Sequence, residues 1–165
     1  MNKLYCGIDP SLSSTAIVIL DDTSKVTSKT IIKTKPLNNQ RSDVIRIVTI
    51  RNGLEFLKEH KDIKVCIEGI SFGSKGSGAD ALAALNYVIQ IFLHENNIPY
   101  DIVPPSKLKK FVCGNGQAKK NIMLKEIYKR WGEDFNSDDI GDAYSLARFL
   151  YENCKIEEKK NKKII

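Results

Sequence analysis

The sequence is poor in soft metal ligands and has no long apolar run. Its four cysteines, Cys6, Cys66, Cys113 and Cys154, are widely spaced without a Cys-x-x-Cys pair, and His60 and His94 are its only histidines. Zinc sites and disulfide frameworks need closer, patterned ligands. The thiols therefore read as reduced and mostly buried. Uninterrupted apolar stretches are no longer than strands, and the N-terminus opens directly into a strand pattern without the apolar core of a signal peptide. No membrane span and a cytoplasmic location are expected. Internal repeats are absent, and the only biased segment is the basic C-terminus.

What is present fits one domain. The 165 residues and 18.6 kDa suffice to bury roughly two-thirds of the unfolded surface. We expect a domain over 1–153 followed by a flexible basic tail, 154–165. Residues 3–9 and 15–21 read as a β-hairpin around Pro10-Ser11-Leu12-Ser13-Ser14, and 27–34 as a third strand. A helix is expected from Ser42 to about Lys61 through Val44, Ile45, Ile47, Val48, Leu54 and Leu57, with Gly53 as its weak point. Ile63 to Ile67 is β-branched and apolar, which predicts a buried strand. A helix follows from Ala79 to about Asn96, then a strand at 100–103 that Pro104-Pro105 stops. The remainder reads as helix, glycine loop (Cys113-Gly114-Asn115-Gly116-Gln117), helix, turn and helix. This order describes an α/β fold with an antiparallel start and a parallel continuation.

Four carboxylates stand out against that order. Asp9 ends the first strand and Glu68 the fourth, while Asp139 and Asp142 open the last helix, three residues apart and so on one helical face. Acids at the ends of buried strands are unfavourable unless compensated. Oxygen-rich clusters of this kind suit hard divalent cations such as Mg²⁺, and sites on such sheets gather at the carboxyl ends of strands. Each acid has a plainer reading. Asp9-Pro10 can be a turn, Glu68 can pair with a lysine, and Ser137 or Asp138 can cap the helix with further acids favoured by its dipole. Capping accounts poorly for Asp142, which leads into the apolar face Ala143, Leu146, Ala147 and Leu150. Asp138 with Asp142, at i and i+4, is an alternative pair.

Charge narrows the chemistry. Ser106 to Arg130 holds Lys107, Lys109, Lys110, Lys119, Lys120, Lys125, Lys129 and Arg130 against the single acid Glu126, whereas the whole chain has a net charge of +6. Clustered acids repel a polyanion, and flanking cations are what let nucleic acid approach. No base-reading motif such as a zinc finger or basic zipper is present, so recognition would act through shape and backbone. Lys107, Lys109, Lys110, Lys119 and Lys120 are the candidate phosphate contacts. The loop 71–78 adds Phe72 and Lys75 as candidates.

Together these residues resemble the RuvC-type Holliday junction resolvases of the RNase H-like superfamily, and most of all their short bacteriophage branch. The resemblance runs in order through Gly7-Ile8-Asp9-Pro10 with Thr15, Ile67-Glu68, Gly114-Asn115-Gly116-Gln117-Ala118-Lys119-Lys120 and Asp139-Ile140-Gly141-Asp142-Ala143. It implies an RNase H-like mixed five-stranded sheet, three antiparallel strands then two parallel, flanked by helices. It places the metal-binding and catalytic acids on Asp9, Glu68, Asp139 and Asp142, and phosphate-supporting lysines on Lys119, also a catalytic candidate, and Lys120. The helix 79–96 resembles the one that builds the family's dimer, although its apolar positions also suit core packing. The sequence departs from the family's pattern at Ser11 and Ala16, where glycines are usual. The family's junction-wedging aromatic falls on Ser71, one residue before Phe72, so Phe72 reads either as that wedge or as a loop aromatic folded onto the core.

The implied reaction is hydrolysis of phosphodiesters in four-way and other branched DNA, with two Mg²⁺ or Mn²⁺ ions per site. Paired nicks by a two-fold homodimer would leave 5′-phosphate and 3′-hydroxyl ends. Rival readings are an RNase H-like nuclease on RNA–DNA hybrids or flaps and a non-catalytic junction-binding protein. A sugar-kinase or actin-like ATPase shares the opening strand and hairpin, but needs a second such domain to enclose a nucleotide.

Overall fold

The structure is a computed structural model that describes residues 3–70 and 78–162. Its centre is a five-stranded sheet in the order β3-β2-β1-β4-β5. Strands β1 (Leu4–Asp9), β2 (Ser14–Leu20) and β3 (Val26–Lys33) are joined antiparallel, while β4 (Ile63–Glu68) and β5 (Tyr100–Val103) continue parallel to β1. This is the mixed sheet expected from the sequence, with strand ends within one or two residues of the predicted ones.

Alternation along β1 and β2 feeds two cores, because successive side chains leave opposite faces of a strand. Tyr5, Ala16, Val18 and Leu20 face α3 (Pro105–Cys113), α4 (Lys120–Trp131) and α5 (Asp138–Asn161), meeting Leu108, Val112, Ile127, Ala143 and Leu146. Cys6, Ile8, Ile17 and Ile19 face α1 (Ser42–Asn52) and α2 (Ala79–Glu95), meeting Ile47, Ile50, Leu85, Ile89 and Phe92. Each fully buried aliphatic side chain is worth about 1.5–3 kcal/mol relative to an exposed one. The two cores hold helices on both faces and leave the carboxyl ends of β1 and β4 open at one rim. There Asp9 lies opposite Ala16 in the β1–β2 ladder, and Glu68 lies opposite Val103 of β5.

One expectation needs correction. The single helix expected over 42–61 is α1 to Asn52 followed by a separate 3-10 turn, Glu55–Glu59. Gly53 closes α1 by donating to Thr49, and it lies so near Ile32 of β3 that a Cβ would approach that side chain's Cδ1 to 2.6 Å. The chain therefore bends where the sequence pattern would have let the helix run on. Val44, Ile45 and Val48, expected on its apolar face, are exposed, and Ile47 and Ile50 do the packing.

The last helix, α5, runs through Asn161, into the segment expected as a basic tail. Lys3 at the start of the chain pairs with Glu158 at 2.7 Å, and Lys155 with the same carboxylate at 3.6 Å. Glu158 is thus placed where an i, i+3 pair and a long-range pair within the chain can support extra helical turns. No described helix is long and apolar enough to cross a membrane.

Candidate active site

Asp9 reaches the site because β1 is drawn tightly against α5. A Cβ on Gly7 would lie 2.0 Å from the Ala143 carbonyl oxygen and 2.5 Å from the Ala147 nitrogen. Only a glycine admits that approach, and Ala143 and Ala147 are the matching small residues on the helix. Two residues on, Asp9 is buried, and a turn follows that the buried Thr15 fixes. The Thr15 hydroxyl donates to the Ser11 carbonyl at 2.7 Å and accepts from the Ser11 N–H at 3.1 Å.

Glu68 is placed by β4 and by α2. The buried Asn86 of α2 donates its side-chain amide to the Glu68 carbonyl at 2.8 Å, and Gln90 donates in turn to the Asn86 oxygen at 2.7 Å. This chain of amides ties the carboxyl end of β4 to a helix that is otherwise apolar on its inner face. A polar residue fully enclosed among Leu85, Ile89 and Phe92 needs such a partner.

Asp142 comes from α5, whose start is capped by Ser137 accepting from the Ile140 N–H. Asp9, Glu68 and Asp142 then line one cleft of about 140 Å³, together with Pro105, Leu108, Lys109 and Met123. A second cavity of about 130 Å³ lies on the other side of Glu68, between Pro10, Ala79, Leu82 and Asn86. Three acids from separate elements therefore open on a common cleft. Each makes further interactions of its own. Among the described residues, however, no group of three acid, histidine or cysteine side chains is already gathered as a cation site. The oxygen donors are right for a hard divalent ion.

Asp139 is not among the residues that line this cleft. Its Oδ2 accepts a hydrogen bond from the Ser14 hydroxyl at the start of β2. Asp138 is exposed as the first residue of α5, so of the two alternatives Asp139 is the one turned toward the sheet. Ser14 gave no sign of this role in the sequence, where it closes a run of turn formers. Asn86 did leave a signal, as an amide inside an apolar helical run.

The basic candidates separate by position. Among the described side chains of these candidates, Lys109 lines the acidic cleft. Lys110 and Lys119 are exposed, the latter as the residue preceding α4, and Lys107 lies over the Phe149 ring at 5.2 Å. Lys120 opens α4. Lys129 pairs with Glu126 at 2.8 Å, and Arg130 bonds the Phe111 and Val112 carbonyls while packing over Trp131 at 4.4 Å. Those two cations are committed to the fold. The glycine loop turns at Gly114, whose φ of +73° gives α3 a left-handed end that a side chain would oppose. Phe72 and Lys75 lie outside the described residues.

Comparison with known proteins bears on the family and the fold. The family described as "Crossover junction endodeoxyribonuclease RuvC" matches residues 5–148. A curated relative of that name from Brachyspira hyodysenteriae is 31% identical over 93 residues, covering 56% of this chain and 58% of the relative. The chain thus spans little more than half the length of that relative. Among solved structures, Thermus thermophilus RuvC in complex with a Holliday junction substrate superposes with a TM-score of 0.73 at 18% identity, covering 93% of this chain and 96% of the other. The yeast mitochondrial Holliday junction resolvase Ydc2 gives a TM-score of 0.63 at 12% identity, covering 97% and 83%. At these identities the structural likeness establishes the shared fold.

Proposed function

Because the chain belongs to the crossover junction endodeoxyribonuclease RuvC family, we propose that it is a metal-dependent endonuclease that resolves four-way and other branched DNA by paired phosphodiester hydrolysis. The observation that carries this reading is the common cleft of Asp9, Glu68 and Asp142 with Lys109 at its wall. Carboxylates alone would repel a phosphodiester, and a lysine alone would bind one without cutting it. The two together describe a site that holds a cation and a polyanion at once.

Asp9, Glu68 and Asp142 are the residues that would hold Mg²⁺, or Mn²⁺ in its place, with two ions per site and Asp139 completing the set. When bound, such ions supply Lewis-acid stabilisation and a water nucleophile at neutral pH. The chain's own residues do the rest. Asp9 is held at the strand end by the Thr15-locked turn, Glu68 by the Asn86 amide, and Asp139 by Ser14. Lys109 neutralises the phosphate beside the acids, and Lys110, Lys119 and Lys120 bind phosphates farther along.

Paired cutting needs two sites, and α2 offers the surface for a homodimer. Tyr87 and Ile91 are 59% and 54% exposed one turn apart, and Val44 and Val48 are exposed on α1, which packs against α2. Apolar side chains in such number on neighbouring helices suit a two-fold interface. Action in the cytoplasm and membership of the short bacteriophage branch rest on the sequence alone.

The test is cleavage of a labelled immobile four-way junction with Mg²⁺, mapping both nicks, beside flap and RNA–DNA hybrid substrates. Symmetric nicks on opposite junction strands are expected, with 5′-phosphate ends. Hybrid cleavage without junction cleavage would reject the proposal. Asp9→Asn should abolish cutting while leaving junction binding within a few-fold, and unchanged cleavage would remove the acids from the chemistry.

A further inference from the structure

We propose that the free edge strand β3 is a second phosphate rail, which holds the DNA backbone on the Asp139 side of the cleft through Lys29, Lys33 and Lys35; this rests on the nuclease reading above. The segment from Lys25 to Arg41 contains five cations and no acid. Lys29, Lys33 and Lys35 are all exposed, and none forms an ion pair among the described residues. They are therefore available in a way that Lys129 and Arg130 are not.

Register places them relative to the site. Ile31 packs with the core beneath α5 and Ile32 with the opposite core, so the odd positions Lys29 and Lys33 share the α5 face. Lys33 pairs across the ladder with Ser14, the residue whose hydroxyl holds Asp139. Strand β3 lies two positions from β1, about 10 Å at ~4.8 Å per strand. That separation corresponds to about three phosphates of a duplex strand at ~3.4 Å of axis each. Lys29 lies farther back, its Nζ 5.5 Å from the Phe135 ring centre, over a groove of about 370 Å³ that Ile31, Asp134 and Asn136 also line. Asp134 offsets Lys29 in part, whereas Lys33 and Lys35 stand at the site end of the strand.

Across the open rim the order is then Lys33, Ser14 with Asp139, Asp9, Glu68 and Lys109. The acids lie between two positive flanks, and a strand lying across them would be neutralised on both sides. Lysines on an edge strand also discourage strand pairing between molecules, a role that involves no DNA. Binding measurements separate the two.

Junction affinity is measured by anisotropy across a salt series without divalent cation, for the wild type, for the Lys29→Ala/Lys33→Ala/Lys35→Ala variant, and for the corresponding triple arginine variant. The alanine variant should lose at least tenfold in affinity at low salt, and its log–log salt slope should shrink by about two to three, at ~0.9 per phosphate contact. The arginine variant should keep the wild-type slope. Mn²⁺ binding by calorimetry and the melting temperature should match the wild type in both, which separates lost DNA contact from a damaged fold or metal site. A folded alanine variant with the wild-type slope overturns the rail and leaves the nuclease reading standing. A wild type that binds junctions without salt dependence overturns both.

Discussion

Gly7 sets the distance between the two parts of the acidic cleft. It is the point where β1 touches the α5 backbone, and Asp9 and Asp142 sit just beyond that contact on either side. Adding one methyl here forces strand and helix apart, because the atoms it meets are backbone and cannot rotate away. Overpacking of this kind costs typically about 1–3 kcal/mol. Gly7→Ala should therefore lower the denaturation midpoint accordingly, and should also weaken Mn²⁺ binding in whatever fraction remains folded, as read by calorimetry. Ser14 allows a gentler test of the same geometry. Ser14→Ala removes one hydrogen bond to a carboxylate, an interaction worth roughly 1.5–3 kcal/mol, and leaves the core untouched. Junction cleavage should fall about tenfold or more at limiting Mn²⁺ and recover at saturating Mn²⁺, with junction binding unchanged. A loss that metal cannot restore would mean Ser14 acts elsewhere. Neither residue announced itself in the sequence as the acids did, because their roles depend on partners 125 to 140 positions away.

At the scale of elements, the strands were legible and the division of labour between helices was not. Continuous apolar runs in β1, β2 and β4 gave their positions closely, since strands covered by helices on both faces are apolar on both. The apolar spacing in 42–61 misled, because tertiary contact at Gly53 cut the helix and left Val44, Ile45 and Val48 outside. The acids were legible as ends of elements. That Lys109 and not Lys119 lines their cleft follows from the way α3 leaves β5 through Pro104, which no spacing reveals. The exposed faces of α1 and α2 now support a prediction of their own. Tyr87→Glu with Ile91→Glu places two charges on the proposed two-fold surface and touches no residue of the cleft. Sedimentation should show a shift from dimer to monomer, and junction products should change from paired to single nicks. A variant that stays dimeric would move the interface elsewhere.

The whole molecule stores its thiols in protonated form, and that has a consequence for stability. Burial pushes Cys66 up to about 12 from its ordinary value of 9.0, with a smaller contribution from the Asp101 carboxylate. Cys6, on the opposite face of the sheet, is raised by burial, and half-buried Cys113 and Cys154 are also raised, mainly by desolvation. A raised folded-state value means that the folded chain keeps its thiol protons where the unfolded chain gives them up. Below pH 9 both states hold the proton, and the thiols add no pH dependence. Above pH 9 the unfolded state binds fewer protons, so stability falls with pH until the folded-state values are reached, at up to about 1.4 kcal/mol per pH unit for each fully buried thiol. Denaturant midpoints between pH 8 and pH 10 should therefore be flat at first and then decline. Cys66→Ala, although less stable at pH 8 through its lost packing, should decline less steeply than the wild type. Equal slopes for the two would mean that ionisation of Cys66 on unfolding is not what weakens the fold in base. The same burial should govern labelling, with a thiol reagent at pH 8 reaching Cys113 and Cys154 in the native protein and Cys6 and Cys66 only after unfolding.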